Sequence, residues 1–328
     1  MSRVPTGAGS APGAHGGDAV RVARSMGVDP ATLIDLSMSM NPFAPDVASV
    51  VADRVRAIDR YPDPGDAERS LARAIGVSAD RLVLTNGGAE AIALVAAQQP
   101  VGEVVDPEFS LYRRHLRAIE VGAPRWRSSP SNPLGRLVDR RVDGDADPVG
   151  RQGYDVWDEA FYPLATGEWT DPTLHDAAVW RLGSLTKTWS CPGLRLGYAI
   201  APDEESAAAI RLRRPEWSVN ALAVSVIEPL LDLTDLAAWA QRIASARSAL
   251  TDELNRLGFR AEATQANWLL VGDDARSGRD LRSDLLHHRV LVRDCANFGL
   301  PSVFRVAVPH PDRMDQVVGA FRAVAAGR

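Results

Sequence analysis

Ser184-Leu-Thr-Lys187-Thr-Trp-Ser-Cys-Pro-Gly193-Leu-Arg195-Leu-Gly-Tyr198 contains the only lysine of the 328-residue chain. The chain has 37 Lys plus Arg, and all the others are arginine, so the surface roles lysine usually fills have passed to Arg. One position keeps an amine. Arginine stays protonated at any physiological pH, whereas a lysine can lose its proton and attack a carbonyl carbon. A hydroxyl stands three residues before this amine and a guanidinium eight residues after it. Together they are the parts for holding an aldehyde that carries a phosphate. Taken by itself, Lys187 also reads as a leftover surface lysine in an Arg-rich composition.

On the N-terminal side of this stretch, short β-type runs alternate with helical ones, the pattern of an α/β domain with a largely parallel sheet. The runs at 82–85, 101–105, 125–128, 154–157 and 178–182 each lead into a polar motif. In open α/β sheets ligands sit beyond the carboxyl ends of strands, and every motif here occupies such a place. A helix is expected from 89 to about 97 and another from 46 to about 58. Beyond Tyr198 helical patterns run through Leu257, and an α+β tail follows with apolar runs at 268–271, 290–292 and 303–308. The expected organisation is a mobile arm over 1–30, a large domain over 31–228 and a small C-terminal domain over 229–328. The arm is expected to be mobile because its first 17 residues hold five glycines and two prolines.

Composition narrows the function. With 45% hydrophobic residues the chain can bury a sizeable core. A net charge of −5 and a pI near 5.7 argue against a nucleic-acid surface or a basic membrane patch, so any anionic ligand must be met by local arginines. Neither a spanning apolar run nor a signal segment is visible, and a cytoplasmic enzyme is expected. Cys191 and Cys295 are too few for a disulfide scaffold, and no metal-ligand cluster stands out.

Each motif has two readings. Thr85-Asn86-Gly87-Gly88-Ala89-Glu90 puts small residues at a strand-to-helix turn, either a phosphate seat on free N–H groups or a bare turn. Asp158 ends a β run, as the partner of a protonated ring nitrogen or as a helix cap. Asn132 before Pro133 donates to a phenolate or starts a turn. Phe109 stacks on a flat ring or fills the core. Arg195 stands between Gly193 and Gly197, which leave room for a phosphate.

In this order the residues resemble the fold-type-I pyridoxal-phosphate (PLP) enzymes, the class I/II aminotransferase superfamily. The resemblance covers the chain from His15 onward, and Ser-x-x-Lys with Gly-x-Arg-x-Gly-Tyr is its most specific part. It implies catalytic roles for Lys187, which bonds the cofactor aldehyde, and Asp158, which holds the pyridine nitrogen. Asn132 is implied to bond the ring O3′, Phe109 to stack, and Gly88, Ala89, Ser184 and Arg195 to cradle the phosphate. Tyr61 is implied to reach the site of the neighbouring subunit in a homodimer.

Two branches are the most similar: L-threonine-O-3-phosphate decarboxylase of cobalamin biosynthesis and histidinol-phosphate aminotransferase. His15-Gly-Gly-Asp18, Phe161 after Asp158-Glu-Ala, and the arginines of Arg293-Asp-Cys-Ala-Asn-Phe298 and Phe304-Arg305 resemble the decarboxylase. The implied substrate is a small phosphorylated amino acid or amine, met by Arg293, Arg305, His15 and Asn41. Decarboxylation of threonine phosphate is the first expectation, amino transfer from histidinol phosphate the alternative, and a PLP-binding module without turnover the third. Two departures bear on the substrate: the 110–131 stretch is shorter than in either branch, and Ser39 replaces an asparagine of the relatives.

Overall fold

In the computed structural model, residues 16–138, 153–175, 177–273 and 277–327 are described. They divide into two compact units, one made of Met1–Pro42, Pro133–Gly135 and Arg242–Arg328, the other of Phe43–Asn132 and Arg136–Gln241. In chain order the strands begin with β1 (Ile34–Asp35), β2 (Leu82–Asn86), β3 (Val101–Gly102), β4 (Ala118–Ile119), β5 (Trp126–Ser128) and β6 (Val156–Asp158). They continue with β7 (Trp180–Gly183), β8 (Leu196–Ile200), β9 (Arg260–Ala263), β10 (Trp268–Gly272), β11 (Val290–Leu291), β12 (Arg293–Asp294) and β13 (Val303–Ala307).

The second unit is built on a five-stranded sheet of order β2-β8-β7-β6-β5. Strands β5, β6 and β7 are parallel, while β8 runs antiparallel to both of its neighbours. The sheet is therefore mixed. The helix Leu185–Thr188 and residues 189–195 carry the chain from β7 back to the same edge, where β8 starts antiparallel to it. The strands are apolar along nearly their whole length because both faces are covered. One face packs on Leu71, Ile75 and Trp189, the other on Ile92, Val95 and Tyr112. Helix Gly88–Gln98 forms where expected.

The helix expected over 46–58 is broken. Asp46 caps it and Val47–Asp53 is helical, but Arg54 leaves the helical region and Val55–Asp59 is a tight 3-10 turn. Its β-branched Val47, Val50, Val51 and Val55 hold a regular helix poorly. The 110–131 stretch carries one short helix, Ser110–His115, then β4 and β5. Strand β4 pairs with β3 in a separate parallel ribbon.

The first unit has a four-stranded antiparallel sheet, β12-β13-β10-β9, and a two-stranded parallel pair, β1 with β11. Its core gathers Leu250, Leu254, Phe259, Leu269, Phe304 and Phe321. In the ladder of β12 and β13, Arg293 lies directly opposite Arg305.

Candidate active site

Four strands of the second unit deliver polar groups at their carboxyl ends, and β8 starts at the same edge. Asn86 ends β2, Ser128 ends β5, Asp158 ends β6 and Gly183 ends β7. Arg195 immediately precedes β8, whose Leu196 pairs with Asn86. The expected residues Lys187, Asp158, Asn132, Gly88, Ala89, Ser184 and Arg195 all sit on these strand ends or on the segments flanking them, and Phe109 follows β3, whose next residue Glu103 bridges to Arg125 just before β5.

One half of this edge suits an anion. Helix Gly88–Gln98 starts here with no side-chain cap, so its first N–H groups and the positive end of its dipole face outward. Gly87 has φ of 78°, and a side chain there would overlap the Arg195 guanidinium. A Cβ on Gly197 would stand 2.5 Å from the Gly88 nitrogen. The two glycines thus let β8 and the helix start close up beside Arg195. Arg195 itself is held at φ of 59°, a left-handed backbone that costs a non-glycine residue about 1 kcal/mol. Ser184 opens the helix of Lys187 without spending its hydroxyl as a cap.

The other half suits a cation beside an amine. Asp158 is buried. Its Oδ2 accepts from the Tyr112 hydroxyl at 2.8 Å and its Oδ1 from the Ala160 N–H at 3.0 Å. Burial raises its pKa, against the lowering effects of those two donors and of the Lys187 charge. The Lys187 ammonium lies 5.6 Å from the centroid of the Phe161 ring. Asn132 is buried, its backbone N–H donating to Ser128 Oγ at 2.8 Å. Phe109 meets Tyr112 edge to face at 5.8 Å.

Other expected residues lie elsewhere. Arg293 and Arg305 are buried in the first unit. The Arg305 guanidinium stacks 4.7 Å from the Trp268 ring, and Arg293 lies over Phe298 and donates to Asn297 Oδ1. Burial first, and then the Arg293 charge, pull the Arg305 pKa down to about 10 against the opposing effect of Cys295. Asn41 is buried in the same unit, beside Met40, whose carbonyl accepts from Asn267. Tyr61 is 78% exposed and packs on Trp217 at 4.5 Å. His15 falls outside the described residues.

Three residues of the site were not singled out from the sequence. Tyr112, one helical turn after Phe109, bonds Asp158, and that i, i+3 spacing was the available signal. Glu108 and Ser128 are joined by two hydrogen bonds, and nothing local in the sequence announces this pairing across 20 positions.

Residues 126–321 match the aminotransferase class I and II family. The chain is 31% identical to threonine-phosphate decarboxylase of Salmonella typhimurium, over 96% of this chain and 97% of that one. It is 27% identical to histidinol-phosphate aminotransferase 1 of Cupriavidus pinatubonensis, over 92% and 90% of the two chains. Its fold matches the crystal structure of histidinol-phosphate aminotransferase from Clostridium acetobutylicum with a TM-score of 0.79 and 23% identity, covering 90% of this chain and all of that one. The chain belongs to the class I and II aminotransferase family. That family uses PLP, and the chain is an enzyme of it, a decarboxylase or an aminotransferase. A module without turnover is thereby set aside. Among the described residues no helix is long and apolar enough to cross a membrane, and no cluster of metal-ligating side chains occurs.

Proposed function

We infer that the chain holds PLP at the strand edge around Lys187 and acts on a small phosphorylated amino acid, with L-threonine phosphate decarboxylation as the reaction. The residues present fit that cofactor. A Cβ on Gly87 would overlap the Arg195 guanidinium and one on Gly197 the Gly87–Gly88 backbone, so both glycines bring Arg195 against the helix start, and the buried Asp158 carboxyl suits a cationic partner. The observation that carries the reading is the convergence on one sheet edge of a sole lysine amine, a buried acid and an uncapped helix start.

Bound PLP supplies an aldehyde that captures the substrate amine and a ring that accepts the electrons of the bond that breaks. Gly88, Ala89, Ser184 and Arg195 grip the phosphate, Asn132 donates to O3′, and Phe109 packs on the ring. Asp158, oriented by Tyr112, holds the positive charge on the ring nitrogen. Lys187 delivers a proton to the substrate Cα after carbon dioxide leaves. Arg293 and Arg305 take the substrate phosphate, a group suited to two neighbouring guanidiniums; His15 and Asn41 are assigned to the same substrate.

Decarboxylation is preferred because the 31% relative that spans nearly the whole chain bears that name and because two arginines stand side by side in one ladder. Amino transfer from a phosphorylated amine such as histidinol phosphate is the second reading, supported by the 27% relative. Product analysis separates them. The PLP-loaded protein, mixed with threonine phosphate, histidinol phosphate and 2-oxoglutarate, is expected to form aminopropanol phosphate without glutamate. Glutamate together with a keto or aldehyde phosphate would overturn the decarboxylase.

The working form is taken to be a cytoplasmic homodimer, with Tyr61 reaching the partner's site. In support, Tyr61, Trp217 and Ile58 are exposed apolar residues around one groove of about 770 Å³. Exposed apolar patches of this kind mark interaction surfaces. Light scattering of the purified protein checks it, and a monomer at working concentration would remove Tyr61 from the site.

A further inference from the structure

The segment Asp106-Pro107-Glu108-Phe109 brings a carboxylate to the edge of the site where no cofactor contact has been assigned to it. Glu108 is buried. Its Oε1 accepts from the Ser128 N–H at 2.8 Å, and its Oε2 from the Ser128 hydroxyl at 2.7 Å and the Phe109 N–H at 3.0 Å. Two of these three donors are backbone groups of different segments, one leaving β3 and one ending β5. A carboxylate suits the place because only an acceptor-only group with two oxygens can receive all three. Glutamine would turn an NH2 toward a donor, and alanine would leave the buried Ser128 N–H and the part-buried Phe109 N–H without that partner.

The bonds continue past Ser128. With its proton committed to Glu108, the Ser128 hydroxyl offers a lone pair to the Asn132 N–H, which donates at 2.8 Å. Across the sheet Ser128 is in register with Asp158, and the next residue, Ser129, donates its N–H to the Asp158 carbonyl at 2.9 Å. Phe109, Asn132 and Asp158 thus reach three different positions around the proposed ring, and all three are tied to the two groups joined by Glu108.

We propose that Glu108 is a positioning residue of the cofactor site, a carboxylate that fixes Ser128 and through it sets Asn132 and Phe109 for the bound ring. It rests on the PLP reading above. Its ionisation also reaches the site. The charged and titratable groups facing it are Asp158 from β6 and Tyr112 from the helix Ser110–His115. Burial lifts the Glu108 pKa to about 7 despite the three donors, with the Asp158 charge adding to the rise. Ionised Glu108 adds negative potential beside Asp158, which favours a positively charged ring.

The experiment is a PLP titration of the cofactor-free wild type, of Glu108→Gln and of Ser128→Ala, followed by a pH titration of the bound cofactor's visible absorbance. Ser128→Ala keeps both backbone donors to Glu108 and removes only the hydroxyl link, which covers the case in which Glu108→Gln does not fold. The expected result is a PLP dissociation constant about tenfold higher in Glu108→Gln and a few-fold higher in Ser128→Ala. The absorbance midpoint of Glu108→Gln is expected about half a pH unit lower than that of the wild type. A wild type that takes up no PLP overturns the cofactor reading and this inference with it. A wild type that binds PLP while Glu108→Gln keeps its affinity and pH midpoint, or Ser128→Ala keeps its affinity, overturns this inference alone. So does a loss of affinity in Glu108→Gln matched by a fall in melting temperature with an unmoved midpoint, which would mark Glu108 as structural only.

Discussion

Around Lys187 the polar groups come from backbone and short side chains at strand ends, while around Arg305 they are long guanidiniums laid opposite each other on one ladder. The first arrangement is set by topology: the strand order β2-β8-β7-β6-β5 lays Asn86, Gly183, Asp158 and Ser128 in that sequence along the edge. The second is set by side-chain packing, with Arg305 on Trp268 and Arg293 on Phe298. Like charges directly opposite in an antiparallel pair disfavour it, and a substrate phosphate at the proposed anchor would offset that cost. The proposed cofactor site and the proposed substrate anchor therefore fail differently when altered.

The largest effect is expected at the amine. Lys187→Ala should lower turnover by about 10⁴-fold or more and abolish the visible absorbance that the wild type gains with PLP. The Arg293 and Arg305 pair should be untouched. A variant that keeps that absorbance would sink the assignment of Lys187.

Next comes pH, where the two regions separate most sharply. In the second unit burial holds Glu108 and Glu159 at about 7, above the ordinary glutamate value of 4.5. A carboxyl whose folded pKa is raised stabilises the fold fully below its unfolded pKa, and that contribution is lost as pH rises through the folded value. The cofactor-free protein should therefore lose stability between about pH 4.5 and 7, by up to about 3 kcal/mol per group. Burial lowers both Arg293 and Arg305, and Arg305, at about 10, stays charged and adds no slope below pH 9. Denaturant melts from pH 5 to 8 check this; stability that is flat or rises across the range would contradict it.

A smaller and more selective effect is expected from Arg305→Met, which keeps a long apolar side chain beside Trp268 but removes the guanidinium fork that stacks on it. The substrate KM should rise about 100-fold with PLP content unchanged. If PLP content falls with it, the division of labour between the two regions is wrong.

The same contrast explains what the sequence made legible. The proposed cofactor site could be read because strand ends leave motifs at fixed offsets, as in Ser184-x-x-Lys187, Gly193-x-Arg195 and Asn132-Pro133. The α/β class followed from runs that match β2, β5, β6 and β7. The antiparallel direction of β8 was not visible, since it depends on the path of residues 184–195 and not on the composition of the strand. Tyr112 and Glu108 were missed because their partners, Asp158 and Ser128, lie 46 and 20 positions away. The Glu108–Ser128 pair leaves no local pattern, and Tyr112 left only its i, i+3 spacing from Phe109. The break at Arg54 was not visible, since no Gly or Pro marks it within 46–58.

The smallest effect tests the backbone side of the contrast. Gly197 faces Thr85 in the ladder, and a Cβ there meets the Gly87 carbon and the Gly88 nitrogen at 2.5 Å. Backbone atoms cannot swing away as a side-chain tip can. Gly197→Ala must therefore push β8 and the helix start apart, displacing the first N–H groups from Arg195. Overpacking of this kind costs about 1–3 kcal/mol; where that loss falls on the phosphate seat, PLP affinity drops about tenfold. The substrate KM of the fully loaded variant should stay near the wild-type value, because no arginine of the first unit has moved. Equilibrium dialysis with PLP and steady-state kinetics at saturating cofactor separate the two quantities. A Gly197→Ala enzyme with normal PLP affinity and a raised KM would reverse the assignment of cofactor to the strand edge and of substrate to the guanidinium pair.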